Sequence, residues 1–259
     1  MVDRVAVQEE VEVTAPDVSQ LVTEDDTPVD NFASAKQQRL LVSSLYSGLS
    51  GSIFLGEANV GIYHSPNLPP IVPDVFVSFD VQVPENWWDK QNRCYMVWNF
   101  GKAPEIAIEI VSNKAGNELT DKRAIYEQIR VSYYVVYDPS LQLSDRPLRL
   151  FELRGRQYSE LSDAWLEQVN LGLVIWEGDF EGRQTTWLRW RDAEGNILLT
   201  GDEHASQAQE RAEREQERAE REQERAEREQ ERAEQERARA DRLAEYLRSQ
   251  GIDPDQLPE

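Results

Sequence analysis

The sequence has one cysteine, Cys94, and two histidines, His64 and His204. A lone thiol excludes an internal disulfide framework. Cys94 stands among Arg93, Tyr95 and Met96 with no second thiol near it, and reads as an inert half-buried thiol. The two histidines lie far apart in the chain, which gives no support to a His-based metal site or a Ser-His triad. There is no Gly-rich phosphate loop and no CxxC pair. No apolar run approaches the roughly 20 residues needed to span a bilayer. The first residues, MVDRVAVQEEVEV, lack a signal-peptide core. Positive charge is also scarce, with 28 Lys and Arg against 49 Asp and Glu and a formal net charge of −21. Such a chain is repelled at long range by nucleic acid and by anionic membranes. That excludes indiscriminate coating of DNA and leaves a local site open. The expectation is a reducing, cytoplasmic setting with no membrane partner.

What is present falls into four zones. Residues 1–30 are acidic and poor in aromatics, and read as a disordered leader. Residues 31–202 hold all seven Trp and all seven Phe, and are long enough to bury a core. Residues 203–250 repeat QERAERE from Gln209, Gln216 and Gln223, with an altered copy at Gln230, and read as one charged helix. Residues 251–259 form a short terminal tail.

Periodicity within the second zone points to a mixed α/β fold. A helix is expected over 35–46, with Ser34 as N-cap and Gln37 completing a capping box. Glycine breaks and β-branched residues mark a strand or hairpin over 51–64. Strands are expected at 72–79, 104–111 and 132–139, the second of them central, and a helix over 117–130. Hairpins are expected over 148–158, turning at Arg154-Gly155, and over 185–200, turning at Glu194-Gly195-Asn196. The order of elements predicts a mixed β-sheet flanked by helices.

Three residues could carry chemistry. Asp74 follows a proline at a strand start, Glu109 lies inside a dense apolar strand, and Lys122 falls in the next helix. A carboxylate among apolar neighbours is costly unless it is paired or bound to a metal. Two carboxylates on neighbouring strand ends suit a hard cation such as Mg²⁺. A lysine beside them would orient water and stabilise charge developing on phosphorus. On spacing alone, ordinary structural roles are favoured: Asp74 capping a turn, Glu109 paired with a surface cation, and Lys122 solvated.

The stretches PPIVPDVFVSF, PEIAIEIVSN and GNELTDKRAIYEQIRVSYYVVYDP resemble a bacterial family of restriction-endonuclease-like proteins in the PD-(D/E)XK nuclease superfamily. RLFELRGRQY, LGLVIWEGDFEG, TTWLRWRDAEGNILLT and the Arg/Glu-rich tail resemble it too, over roughly residues 31–250. The resemblance implies a restriction-endonuclease-like core of a mixed sheet flanked by helices, followed by the long charged helix. It implies a Mg²⁺- or Mn²⁺-dependent endonuclease acting on DNA. Asp74 and Glu109 would be the metal ligands and catalytic acids, and Lys122 the catalytic lysine, with Lys114 as the competing candidate. The chain departs from the simplest superfamily pattern at Val111, where a lysine would stand two residues after the acid. It departs again at Arg130, where a small turn residue is commoner.

Other residues carry blander readings. Glu57 is a remote candidate for a third carboxylate, and Asp121 is expected to face solvent. Trp87-Trp88 and Trp187/Trp190 could stack on bases, but core and hairpin packing is the expectation. Arg39, Lys102, Lys114, Arg123 and Arg130 are the cations available for a local nucleic-acid patch.

In the tail, Gln207 to Leu247 would form a continuous helix about 60 Å long. Glu210/Arg214, Glu217/Arg221 and Glu224/Arg228 are spaced for i,i+4 pairs, and Glu215/Arg218, Glu222/Arg225 and Glu229/Arg232 for i,i+3 pairs. One alanine per heptad is thin support for a coiled coil, so a solvated spacer is favoured. Only Ala240, Leu243, Ala244 and Leu247 make an amphipathic face on which a homo-oligomer could form. The alternative function is a catalytically inactive nuclease-fold module for protein binding or assembly. The acidic charge and Val111 favour it, and it gains if Lys122 points away from the two acids and no other lysine replaces it.

Overall fold

The computed structural model describes residues 31–112 and 117–251. The acidic leader, Lys114 and residues 252–259 lie outside the described residues. The chain divides into two compact units, residues 1–201 and 202–259.

The first unit opens with α1 (Phe32–Gly48). Asn31, rather than Ser34, caps it, and its side chain accepts from the Ser34 N–H at 2.9 Å. Gln37 is therefore not part of a capping box. It is buried and faces a later strand, where its amide donates to the Leu188 carbonyl (2.8 Å) and accepts from the Leu188 N–H (2.9 Å). The side-chain amide thus satisfies one donor and one acceptor of a buried strand, as a neighbouring strand would.

Next come β1 (Phe54–Ala58), β2 (Ile62–Tyr63), β3 (Val75–Phe79), β4 (Tyr95–Met96), α2 (Val97–Phe100) and β5 (Ile106–Ile110). A π-helical turn (Glu118–Lys122) runs into α3 (Arg123–Ile129). Strands β6 (Tyr133–Tyr137), β7 (Leu148–Arg154), β8 (Gln157–Glu160), β9 (Trp165–Leu166), β10 (Leu171–Phe180) and β11 (Arg183–Arg191) complete the unit.

The main sheet has the order β1-β3-β5-β6-β7-β8. Strands β5 and β6 are parallel, joined through α3, and the other neighbours are antiparallel. Parallel strands need such a helical crossover. Both central strands are buried at every residue, which is why IAIEI and YYVVY read as dense apolar runs rather than clean alternations. One face packs on Leu41 and Leu45 of α1 and on Trp190, and the other on Tyr126 of α3 and on Tyr95. This is the expected α/β mixed sheet flanked by helices.

Over 51–64 the strand alternative holds, while the 185–200 hairpin differs from expectation. The 51–64 segment does not pair with itself, because β1 pairs with β3 and β2 runs parallel to β4. Asn59, in a left-handed conformation at φ 56°, turns the chain out of the sheet between them. Strand β11 finds its partner upstream in β10, across a turn whose two central residues, Glu181 and Gly182, both have positive φ. That is the turn type whose twist matches a two-residue hairpin. The expected turn near Gly195 does form, but its return limb is only the Arg191–Ile197 bridge.

The second unit is α4 (Gly201–Ser249), whose first residue closes the other unit. None of its residues is buried. Glu210–Arg214 (3.2 Å), Glu217–Arg221 (3.7 Å) and Glu224–Arg228 (3.6 Å) form as spaced. Arg218 and Arg225 instead reach forward to Glu222 and Glu229 (3.2 Å each) rather than back by three residues. Leu243 and Tyr246 are exposed near its end. No helix among the described residues is long and apolar enough to cross a membrane.

Candidate active site

The antiparallel register of β3 and β5 pairs Val75 with Ile108. Carried one residue further, it sets Asp74 opposite Glu109. Cross-strand partners in such a pair are about 4.5–5.5 Å apart at Cβ, and like charges there repel. The surroundings of each acid answer that cost. The Asp74 carboxylate accepts from the Ile110 N–H (2.6 Å) and from Nε2 of Gln38 (2.8 Å). Gln38 is in turn held by Nδ2 of Asn59 at 3.0 Å. Asp74 is thereby fixed against the strand that carries Glu109.

Glu109 is 1% exposed. Its Oε2 lies 2.7 Å from the Lys122 ammonium, and its Oε1 accepts from the Tyr126 hydroxyl at 2.7 Å. Lys122 and Tyr126 are four residues apart, so they share one face of the helical segment above Glu109. The π turn brings Lys122 there, with its N–H bonded to the Asn117 carbonyl five residues back at 3.0 Å. Such wide turns recur at functional sites. Lys122 also lies 3.5 Å from Oε1 of Glu118 and keeps 34% of its side chain exposed, within reach of a substrate. The other Glu118 oxygen is buried with no hydrogen-bond partner among the described residues.

Burial pushes the Glu109 carboxyl up to about 7, against the pull of Lys122 and with a further push from Asp74. Burial is also the strongest influence on Lys122 and draws it down. Glu109, Glu118 and Asp74 together more than offset this, so the ammonium ends above its ordinary value and stays charged. Burial, then the Glu109 charge, holds Tyr126 well above the usual phenol, so it remains a donor.

Asp74, Glu109 and Lys122 thus meet in one place. Lys114, the competing lysine, lies outside the described residues. Val111 is buried in the apolar cluster with Tyr126 and Tyr134. With Lys122 arriving from the helical segment, that strand position serves the core. Sequence reasoning missed Gln38, Asn59, Tyr126 and Glu118. The i,i+4 spacing of Lys122 and Tyr126 was a usable signal, whereas Gln38 and Asn59 reach Asp74 only through the fold.

Among the described residues, the four cations considered for a patch each have a local partner. Arg39 pairs with Glu181 (2.6 Å), Lys102 with Glu105 (2.6 Å), Arg123 lies over the Phe151 ring (4.5 Å) and Arg130 donates to the Gly155 carbonyl (2.6 Å). In so acidic a chain each cation meets a local acceptor first. Trp187 and Trp190 are buried as expected, but Trp87 and Trp88 are 57% and 77% exposed, so core packing does not account for them. Asp121 faces solvent. Glu57 lines a pocket to which none of the trio contributes.

The donor set fits a hard divalent cation. Two opposed carboxylates, one of them held up by burial and by its neighbour, are relieved by a shared positive charge. Among the described residues no group of three or more His, Cys, Asp or Glu is placed to hold a metal ion. Two protein carboxylates suit Mg²⁺, which keeps several waters.

The mixed sheet and its helical crossover make this an α/β protein, and a family match gives that fold as restriction-endonuclease-like. Residues 23–175, more than half of the chain, match the Uma2 family, described as "Putative restriction endonuclease". The chain belongs to that family, which makes it a nuclease-class hydrolase of a kind that generally uses divalent metals. A solved structure from Anabaena variabilis ATCC 29413, titled a "putative nuclease belonging to DUF820", is similar at 13% identity and a TM-score of 0.38, over 54% of this chain and 72% of that one. No curated protein matches.

Proposed function

We propose that the protein is a Mg²⁺- or Mn²⁺-dependent endonuclease that hydrolyses phosphodiester bonds in DNA. The observation that carries this reading is the cross-strand Asp74/Glu109 pair with the Lys122 ammonium 2.7 Å from Glu109. Asp74 and Glu109 would hold the divalent ion. When bound, such an ion lowers the pKa of water and offsets charge on the phosphoryl group. Gln38 and the Ile110 N–H keep the Asp74 carboxylate aimed, and Tyr126 keeps Glu109 from rotating. Lys122 orients the attacking water and stabilises the extra negative charge as the new P–O bond forms and the old one breaks. The attacking water gives up one proton to bulk water as its bond to phosphorus forms, and the departing oxygen takes one up from bulk water. The inactive-module reading would gain from a Lys122 that points away, and the ammonium contacts Glu109 instead, which favours the enzyme.

The test is plasmid nicking in Mg²⁺ or Mn²⁺, run beside calorimetric metal titration, on the parent and on Asp74→Ala. The parent should cut, and Asp74→Ala should lose about 10²-fold or more of the rate together with most metal affinity. A parent that cuts neither DNA nor RNA, or an Asp74→Ala protein that cuts equally well, overturns the proposal.

A further inference from the structure

The exposed Trp87 and Trp88 are unexplained by the fold, and Trp87 lines a pocket. It has a volume of about 230 Å³ and is lined by Glu57, Phe76, Trp87, Arg93, Tyr95 and Phe100, among others. The Tyr95 and Phe100 rings stack at 4.3 Å and 11°. Trp87 meets Trp88 edge-on at 6.0 Å. Exposed aromatic surface of this kind usually marks a contact site. Glu57 is half-buried, and among the described residues no hydrogen bond or ion pair holds its carboxylate. Burial raises its pKa, the mark of a carboxylate set in an apolar wall without a compensating charge.

The pocket adjoins the trio. Glu57 is paired with Phe76, which pairs in turn with Ala107, two residues along β5 from Glu109. Residues two apart on a strand face the same side. Two strand spacings of about 4.8 Å and two residues of about 3.3 Å put the Glu57 and Glu109 backbones roughly 12 Å apart, the reach of about two nucleotides from a phosphate at the trio.

We propose that this pocket takes one unpaired nucleobase of the substrate strand, stacked on Trp87, with the Glu57 carboxylate accepting from the exocyclic amine of the base. The inference rests on the nuclease reading and narrows it to strands with an unpaired base beside the cut. Three features favour this occupant. Aromatic rings bind the flat faces of bases in general. An ionised carboxylate only accepts hydrogen bonds, so it selects cytosine or adenine over thymine, which shows a carbonyl in place of the amine. Stacking and edge recognition also need no phosphate-binding cations, which suits a chain of net charge −21.

The experiment uses the full chain and short single-stranded homopolymers of deoxycytidine, deoxyadenosine and thymidine. Binding is followed by polarisation with Ca²⁺ in place of Mg²⁺, and cleavage of the same strands in Mg²⁺. The cytosine and adenine strands should bind about tenfold tighter than the thymine strand. Glu57→Gln should erase that ratio, and Trp87→Ala should weaken all three strands about tenfold. Thymine binding as tight as the others, or an unchanged ratio in Glu57→Gln, overturns the inference. So does tetramethylammonium quenching the tryptophan fluorescence while no strand does, which would assign the pocket to an organic cation. Strands bound in the expected order but left uncut would sink the nuclease reading and leave the base pocket standing. Strands cut with no base order would do the reverse.

Discussion

Glu109 is where burial, charge and chemistry meet in a single residue. Its carboxyl stands at about 7 against an ordinary 4.5. The folded chain therefore holds this proton more tightly than the unfolded chain does. In the absence of metal, the stability linked to Glu109 is full below about pH 4.5 and declines as pH rises through 7. A divalent ion favours the ionised form, so its affinity runs the other way. Calorimetry at about pH 6 and about pH 8 should show Mg²⁺ binding weaker at the lower pH, by up to about tenfold per unit below 7. Glu109→Gln should lose both the binding and its pH dependence. Lys122→Met removes the cation that draws Glu109 down. It should lower kcat about 10²-fold with a smaller change in KM, and it should move the pH dependence of metal binding upward. A Lys122→Met enzyme with parental kcat would leave the lysine no part in the reaction.

At the scale of elements, the π turn and α3 do the positioning. The sequence supports one helix over 117–130, yet the first five of its helical residues are wound more widely, and this sets Lys122 and Tyr126 over Glu109. Helix α3 ends where Arg130 adopts φ 72°, a conformation that costs a side chain with a Cβ. The departure read in the sequence at Arg130 thus falls on a turn that a small residue would fit. Arg130→Gly should raise stability by about 0.5–1 kcal/mol in thermal or denaturant unfolding, since the lost bond to Gly155 is exposed. A clear loss of stability would show that this bond outweighs the backbone strain.

Over the whole molecule, stability is unevenly spread. Strands β5 and β6 are buried throughout, whereas α4 buries none of its 49 residues and is held by its own backbone bonds and exposed ion pairs. Each such pair contributes only about 0.2–0.5 kcal/mol. Amide hydrogen exchange should therefore be slowest in β5 and β6 and fastest among the helices in α4, with α4 faster still in high salt. Equal protection in both units would mean that α4 is buried against something. The sequence by itself determined the strands dense in apolar residues and the charged helix, because composition and periodicity are local properties of the chain, whereas Asp74, Glu109 and Lys122 were singled out by the family resemblance. Only the tertiary structure decided that Asp74 faces Glu109, that Gln38 and Asn59 brace one acid while Tyr126 braces the other, and that Trp87 stands in solvent beside Glu57. Strand register, the winding of a single turn and the partner chosen by a hairpin depend on contacts between residues far apart in sequence, and no local pattern encodes them.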